Sequence, residues 1–188
     1  MKPPRPCRLP RDAGFTLIEL MFTIAIAAIL MMVAVPSFIA YQRNSELTGA
    51  ANGLLAAASA ARTEAMKRNL SAFVVPLGTG WASGWRGFVD VDRNSVFSAP
   101  DIVVSSQRAL PAYFSVTGFG SAAGTAPSLR FNGSGFSTSA NLAFVRTDVT
   151  GTAVFAQSRY VVLAPTGRVR VCKPVGAHDP ACSAASTF

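Results

Sequence analysis

Histidine is almost absent from this chain: its 188 residues hold one, His178, in a tail that also carries proline and glycine. A nucleophile activated by histidine, or a zinc site built on imidazoles, lacks its members. No glycine-rich loop followed by lysine is present to cradle a phosphate. Neighbouring acids such as Asp90 and Asp92 fall in a turn-forming stretch with no evident cleft around them. These shortages argue against an enzyme and leave no catalytic residue, resident metal or cofactor to name. Acidic residues are scarce as well, nine against seventeen basic ones, for a net charge of +8. Such a chain suits acidic partners: nucleic acid, anionic lipid or acidic protein. Neither an internal repeat nor a second domain is visible.

Charge is scarcest between Phe15 and Ala40, FTLIELMFTIAIAAILMMVAVPSFIA, where Glu19 is the only charged residue. At about 1.5 Å per residue this run is long enough for a bilayer core of roughly 30 Å. Lys2, Arg5, Arg8 and Arg11 precede it, against one acid, Asp12. The positive-inside rule then predicts a cytoplasmic N-terminus and export of everything beyond the helix. Ala25, Ala27 and Ala28 imitate the small residues of an ordinary signal cleavage site. Two features oppose that reading: the apolar run continues well past Ala28, and a carboxylate stands at its start. A buried membrane carboxylate is costly, so Glu19 calls for a partner, or else snorkels to the headgroups. Pro36 removes one backbone donor and predicts a bend or local melting of the helix.

Ala13-Gly14-Phe15-Thr16-Leu17-Ile18-Glu19-Leu20 resembles the type IV prepilin motif. The resemblance implies that residues 1–14 are a leader cut by a membrane prepilin peptidase between Gly14 and Phe15. It also implies that the new amino terminus at Phe15 is methylated and that Glu19 pairs with the Phe15 amine of a neighbouring subunit during filament assembly. Residues 15–40 would then be the transmembrane part of the N-terminal helix, held in inner-membrane lipid before assembly. Without the leader, thirteen basic and eight acidic residues remain, a net of +5.

The three cysteines are Cys7, Cys172 and Cys182. If the leader is removed, the last two remain, and a disulfide between them suits an oxidising compartment. Two unpaired thiols are the alternative.

From Leu47 the apolar positions recur at helical spacing: Leu47, Ala51, Leu54, Ala58, Ala61 and Ala65. Asn52, Arg62, Glu64 and Lys67 take the opposite face. This predicts a periplasmic amphipathic helix over residues 41–70, continuing the membrane helix and ending near Arg68-Asn69. Its alanine stripe invites close packing by the chain's own sheet. After Asn69 short β-type runs alternate with Gly, Pro, Ser and Asn. The predicted strands are Ser71–Pro76, Trp85–Val91, Ile102–Ser106, Tyr113–Val116, Leu129–Phe131, Ala143–Arg146, Arg159–Ala164 and Val169–Lys173. Residues 118–127 and 132–140 read as loops. The expected fold is α+β: a long N-terminal helix packed on an antiparallel β domain over residues 71–188, as one sheet or two small packed ones.

Trp81 and Trp85 read as packing residues. The segment Trp81-Ala82-Ser83-Gly84-Trp85 followed by Phe88-Val89-Asp90 resembles the GspH/FimT branch of minor pilins and pseudopilins. Relatives often carry a cysteine near the strand at Phe73–Leu77. None is present here, which makes the Cys172–Cys182 pairing local. Asp90, Asp92, Asn94 and Asp101 match positions 1, 3, 5 and 12 of a calcium loop. Ser95 stands where such a loop needs glycine, and Asp and Asn are ordinary turn formers, so no metal is assigned.

The C-terminal hairpin is the best site candidate. Pro165-Thr166-Gly167 signals a turn, and alternation sends Val169 and Val171 inward and Arg168 and Arg170 together to solvent. Two neighbouring guanidiniums suit phosphate, although a charged face that blunts a sheet edge looks the same. Gly167-Arg168-Val169-Arg170 resembles the Gly-Arg-x-Arg motif of FimT proteins. That resemblance implies a minor pilin that binds double-stranded DNA in natural transformation. Arg168 and Arg170 would contact phosphates, and Gly167 would allow close approach. Arg159 and Lys173 are added from spacing alone. The rival expectation is a structural subunit that primes or caps a pilus or a type II secretion filament, touching only other pilins.

Overall fold

The computed structural model describes residues 14–118, 128–138, 140–151, 153–176, 179 and 182. It divides into two compact units, residues 1–42 and 43–188, joined by a single helix α1, Leu17–Arg68.

The first unit is the apolar half of α1. Thr16 caps its start: its Oγ1 accepts the Glu19 backbone N–H at 3.3 Å. Thr16-x-x-Glu19 is therefore a capping pair, and Glu19 also faces the positive end of the helix dipole. The helix is long and apolar enough to cross a membrane. Pro36 lies inside it without interrupting it. Of the bend or local melting expected there, the melting does not occur: one backbone donor is lost, but the helix runs through.

The second unit begins with the amphipathic half of α1. Leu47, Ala51, Leu54, Ala57, Ala58, Ala61 and Ala65 are its buried residues, the stripe that the spacing predicts plus Ala57. The helix ends at Arg68, where Asn69 takes φ 53° and the Leu70 N–H reaches the Ala65 carbonyl at 3.1 Å. That is a Schellman-type cap. Glu64 pairs with Arg68 one turn on, at 2.7 Å.

Among the described residues eight strands follow: β1 Ser71–Pro76, β2 Trp85–Asp90, β3 Ile102–Gln107, β4 Phe114–Gly118, β5 Leu129–Phe131, β6 Ala140–Arg146, β7 Ser158–Leu163 and β8 Val169–Cys172. A 3-10 turn, Trp81–Ser83, and a short helix α2, Ala153–Ala156, interrupt them. They form two four-stranded sheets, ordered β3-β2-β1-β5 and β4-β6-β7-β8, with every neighbouring pair antiparallel. One core joins the α1 stripe to both sheets through Val74, Trp81, Trp85, Val89, Phe131, Phe144, Val161 and Leu163. The two tryptophans are fully buried packing residues.

Most strand bounds agree with the sequence expectation within two residues. Strand β6 is the exception, beginning three residues early at Ala140, inside the stretch read as loop. Ala140, Asn141 and Leu142 are all buried there, so tertiary burial overrides a weak local preference. The other expected loop falls almost wholly on residues 119–127, outside the described residues. Residues 1–13 of the expected leader and His178 also lie outside them.

Candidate functional site

Strands β7 and β8 meet in a tight turn. The Gly167 N–H donates to the Ala164 carbonyl at 2.9 Å, and the Ala164 N–H donates to the Arg168 carbonyl at 3.0 Å. Gly167 has φ +78°, a conformation that costs other residues about 1–2 kcal/mol. It is also crowded. A Cβ added there would meet the Gly135 carbonyl oxygen at 1.9 Å and Arg62 Nε at 2.7 Å. The geometry thus supplies a structural reason for this glycine, in addition to the close approach to phosphate that the resemblance implies.

The turn is bolted in place from two sides. The Ser137 N–H donates to the Pro165 carbonyl at 3.0 Å, and the Ser137 hydroxyl donates to the Ala164 carbonyl at 2.8 Å. From α1, Arg62 Nε donates to the Gly135 carbonyl at 2.9 Å and a terminal nitrogen donates to the Thr166 carbonyl at 3.0 Å. Arg62 reads in the sequence as solvent face. It is half-buried and locks the hairpin to the helix.

Alternation along β8 runs as expected on one side. Val169 and Val171 pack against the main core. On the other face Arg170 stands opposite Val162, and Cys172 opposite Tyr160. Tyr160 and Val162 form a small second cluster with Ala143 and Cys182, and burial raises the Tyr160 pKa. The two arginines are not equally open: Arg168 is exposed and Arg170 is half-buried. Lys173, just past the strand, is exposed.

Arg159 does not join them. Its position in β7 has the parity of Val161 and Leu163, which enter the core, and opposite to that of Val162 beside Arg170. Its guanidinium donates to the Ser158 carbonyl at 2.7 Å and to Asn44 Oδ1 of α1 at 3.4 Å. Burial lowers its pKa. Proximity in sequence suggested a shared surface; strand parity places Arg159 on the opposite face.

Cys172 and Cys182 form a disulfide, with Cα atoms 5.9 Å apart. It holds Cys182 against Tyr160 and Val162 on the face that Arg170 shares. Loop-closure entropy for a separation of ten residues predicts that Cys172→Ser costs about 2–3 kcal/mol. Urea titration of the oxidised protein and the variant measures this, and a reductant should bring the unaltered protein down to the variant's curve.

Asp90, Asp92 and Asp101 bring carboxylate oxygens within 4.8 Å of one another. Those oxygens are engaged by their own loop. Asp90 accepts the Asn94 and Ser95 N–H groups at 3.1 and 3.0 Å. Asp101 accepts those of Val91 and Ser98 at 2.9 and 2.7 Å. Asp92 accepts the Ser98 hydroxyl at 2.8 Å, the first cause of its lowered pKa. The cluster is accounted for as a self-capped turn in which Arg93 and Ser95 hold positive φ.

A long apolar helix continuing as an amphipathic one, its alanine stripe covered by antiparallel sheets, defines the pilin class of filament subunits. Two crystal forms of the type IV minor pilin FimU from Pseudomonas aeruginosa strain PAO1 share the fold. They give TM-scores of 0.54 and 0.51, covering 72% and 66% of this chain and 99% and 91% of theirs, at 17% identity in both cases. The prokaryotic N-terminal methylation motif matches residues 9–35. Over 47 residues the chain is 49% identical to the type IV major pilin protein PilA of Myxococcus xanthus strain DK1622, a match covering 25% of this chain and 21% of that protein. This chain thus spans about a fifth of that relative's length. The model of the type II transport protein GspH matches residues 50–167. The chain belongs to the GspH family and has the fold of a type IV minor pilin.

Proposed function

We propose that this subunit is a FimT-like minor pilin whose β7–β8 turn binds extracellular double-stranded DNA for uptake in natural transformation. The observation that carries the reading is Arg168, exposed on a turn that Arg62 and Ser137 hold rigid, with Arg170 two residues on. A guanidinium on a fixed turn contacts phosphate with little ordering cost. Lys173, exposed just past β8, has the parity of Val169 and Val171 and adds charge nearby without sharing the arginines' face. Such contacts position the duplex without reading its sequence, and they weaken steeply with salt.

The route to the filament follows the prepilin logic. Prepilin peptidase cuts after Gly14, Phe15 is methylated, and residues 15–40 stay in the inner membrane with the globular domain in the periplasm. On assembly, Glu19 takes the Phe15 amine of a neighbouring subunit as its counter-ion. Residues 41–70 carry the helix onward and residues 71–188 form the exposed domain.

The test is a gel-shift titration of duplex DNA with a fragment beginning at Arg43. That fragment contains the whole main core. The unaltered fragment should bind, weaken as salt rises and lose at least tenfold in affinity in Arg168→Ala/Arg170→Ala. Removing two phosphate contacts should also flatten the salt slope by about two. Absence of binding by the oxidised fragment would favour the second reading: a GspH-like subunit that initiates or caps a filament without DNA. The GspH match over residues 50–167 is the observation on that side. Binding that survives in the double variant would keep DNA and reject these arginines.

A further inference from the structure

Beside the β7–β8 turn lies an open cleft of about 310 Å³, lined by Arg130, Asn132, Phe136, Ser137 and Thr138. Its size is at the small end of the range of roughly 300–1,000 Å³ for small-molecule sites. Phe136 is 56% exposed, which is costly for a large apolar ring. Its backbone is nevertheless tightly fixed. Asn132 Oδ1 accepts the Ser134 and Phe136 N–H groups at 3.0 and 2.9 Å. The Asn132 N–H donates to the Phe136 carbonyl at 2.9 Å, and the Gly135 N–H donates to the Asn132 carbonyl at 2.9 Å. The cleft's cation is held in place too: the Arg130 guanidinium sits over the Phe73 ring, 5.7 Å from its centroid. Ser137, which lines the cleft, is the residue that bonds the Arg168-bearing turn.

An exposed ring on a rigid loop, a positioned guanidinium and small polar side chains around them have the chemistry of a base-stacking platform. We propose that this cleft receives an unpaired nucleobase, stacked on Phe136, from a frayed or single-stranded end of the DNA whose backbone lies on Arg168. The inference rests on the DNA reading above and adds to it a preference for ends over continuous duplex. Phosphates supply the salt-dependent part of the affinity. The base supplies a part that salt leaves nearly untouched, because stacking releases no counterions.

The experiment uses the full chain in detergent micelles and fluorescence anisotropy with three probes. They are a blunt duplex, the same duplex with a short thymine overhang, and one with an abasic overhang of equal phosphate number. The thymine overhang should bind about tenfold tighter than the abasic one, at low and at moderate salt alike. Phe136→Ala should erase that ratio and leave the blunt duplex within about twofold, whereas Arg168→Ala/Arg170→Ala should weaken all three probes and preserve it. In Phe136→Trp the ratio should persist and the indole fluorescence should be quenched by the thymine overhang but not by the abasic one. Equal binding of the two overhangs by the unaltered chain overturns the inference while leaving the duplex reading intact. A ratio that survives in Phe136→Ala also overturns it, as does indole fluorescence in Phe136→Trp that responds equally to both overhangs. Failure to bind any of the probes overturns both readings.

Discussion

Gly167→Ala is expected to destabilise the globular domain by roughly 4 kcal/mol and to weaken its hold on DNA with it. Two effects add. At φ +78° the alanine loses about 1–2 kcal/mol from the backbone alone. Its methyl group would also lie 1.9 Å from the Gly135 carbonyl oxygen. Backbone cannot rotate aside as a side chain would, so the turn must lift. Lifting it breaks the Ser137 bond to Pro165 and the Arg62 bond to Thr166. A neutral hydrogen bond contributes about 1 kcal/mol and one from a charged donor about 1.5–3 kcal/mol. Gly151 supplies the control, with φ +70° and nothing within 4 Å of its added Cβ. Gly151→Ala should lose only the backbone part. Urea titrations of both variants separate strain from collision, since their difference is the collision. Equal effects would mean that the hairpin does not press on the β5–β6 loop. Because Arg168 follows Gly167 directly, affinity for duplex DNA should fall in Gly167→Ala even at temperatures where the variant is folded.

The elements that the sequence made legible are those governed by local periodicity. The stripe from Leu47 to Ala65 has the spacing of a buried helix face, and it is buried. Strands β1 and β5 have the bounds expected of them because β-branched and aromatic runs end at turn residues. The disulfide is legible because only two cysteines lie beyond the apolar run. What escaped notice depends on partners far along the chain. Arg62 looks solvated on a helical wheel, yet its partners are the carbonyls of Gly135 and Thr166, which no local pattern links to it. Spacing alone groups Arg159 with Arg168 and Arg170. Its own strand held the contrary signal: residues 159, 161 and 163 share a face, and Val161 and Leu163 are core. Phe136 sits in a run of Gly, Ser and Thr that reads as featureless loop. The bonds to Asn132 that fix it are an Asx signature that was available in the sequence but carried no hint of an exposed ring.

The second large effect is expected where α1 enters the domain. Arg146→Met should cost roughly 3 kcal/mol, because it removes two hydrogen bonds from a buried guanidinium to a carboxylate, each worth about 1.5–3 kcal/mol. For a domain of this size that lowers the melting temperature by roughly 6–12 °C. Arg146 is 4% exposed. It clasps Asp148 through two bonds, of 2.9 and 2.5 Å, and also bonds Gln157. Asp148 in turn holds Arg43 of α1 at 2.7 Å. The Arg43 guanidinium lies over the Tyr113 ring, 4.7 Å from its centroid, and the Tyr113 hydroxyl donates to Glu46. The Glu46 bond raises the Tyr113 pKa. The network thus fastens the first turns of the amphipathic helix to the start of β4 and the end of β6. Its pH dependence distinguishes it from mere packing. The hydrogen bonds from Arg146, then those from Arg43, hold the Asp148 carboxyl well below the usual carboxylate range. A group whose folded pKa is depressed contributes fully above its unfolded value, about 3.9. That contribution is lost as pH falls below about 3.9 towards the folded value. The stability gap between the unaltered domain and Arg146→Met should therefore be flat from about pH 5 to 8 and shrink as pH is taken from about 4 to 2. Denaturant titrations at each pH measure it. A gap that stays constant down to about pH 2 would assign the loss to the missing side-chain volume of Arg146 and deny Asp148 its role in anchoring α1.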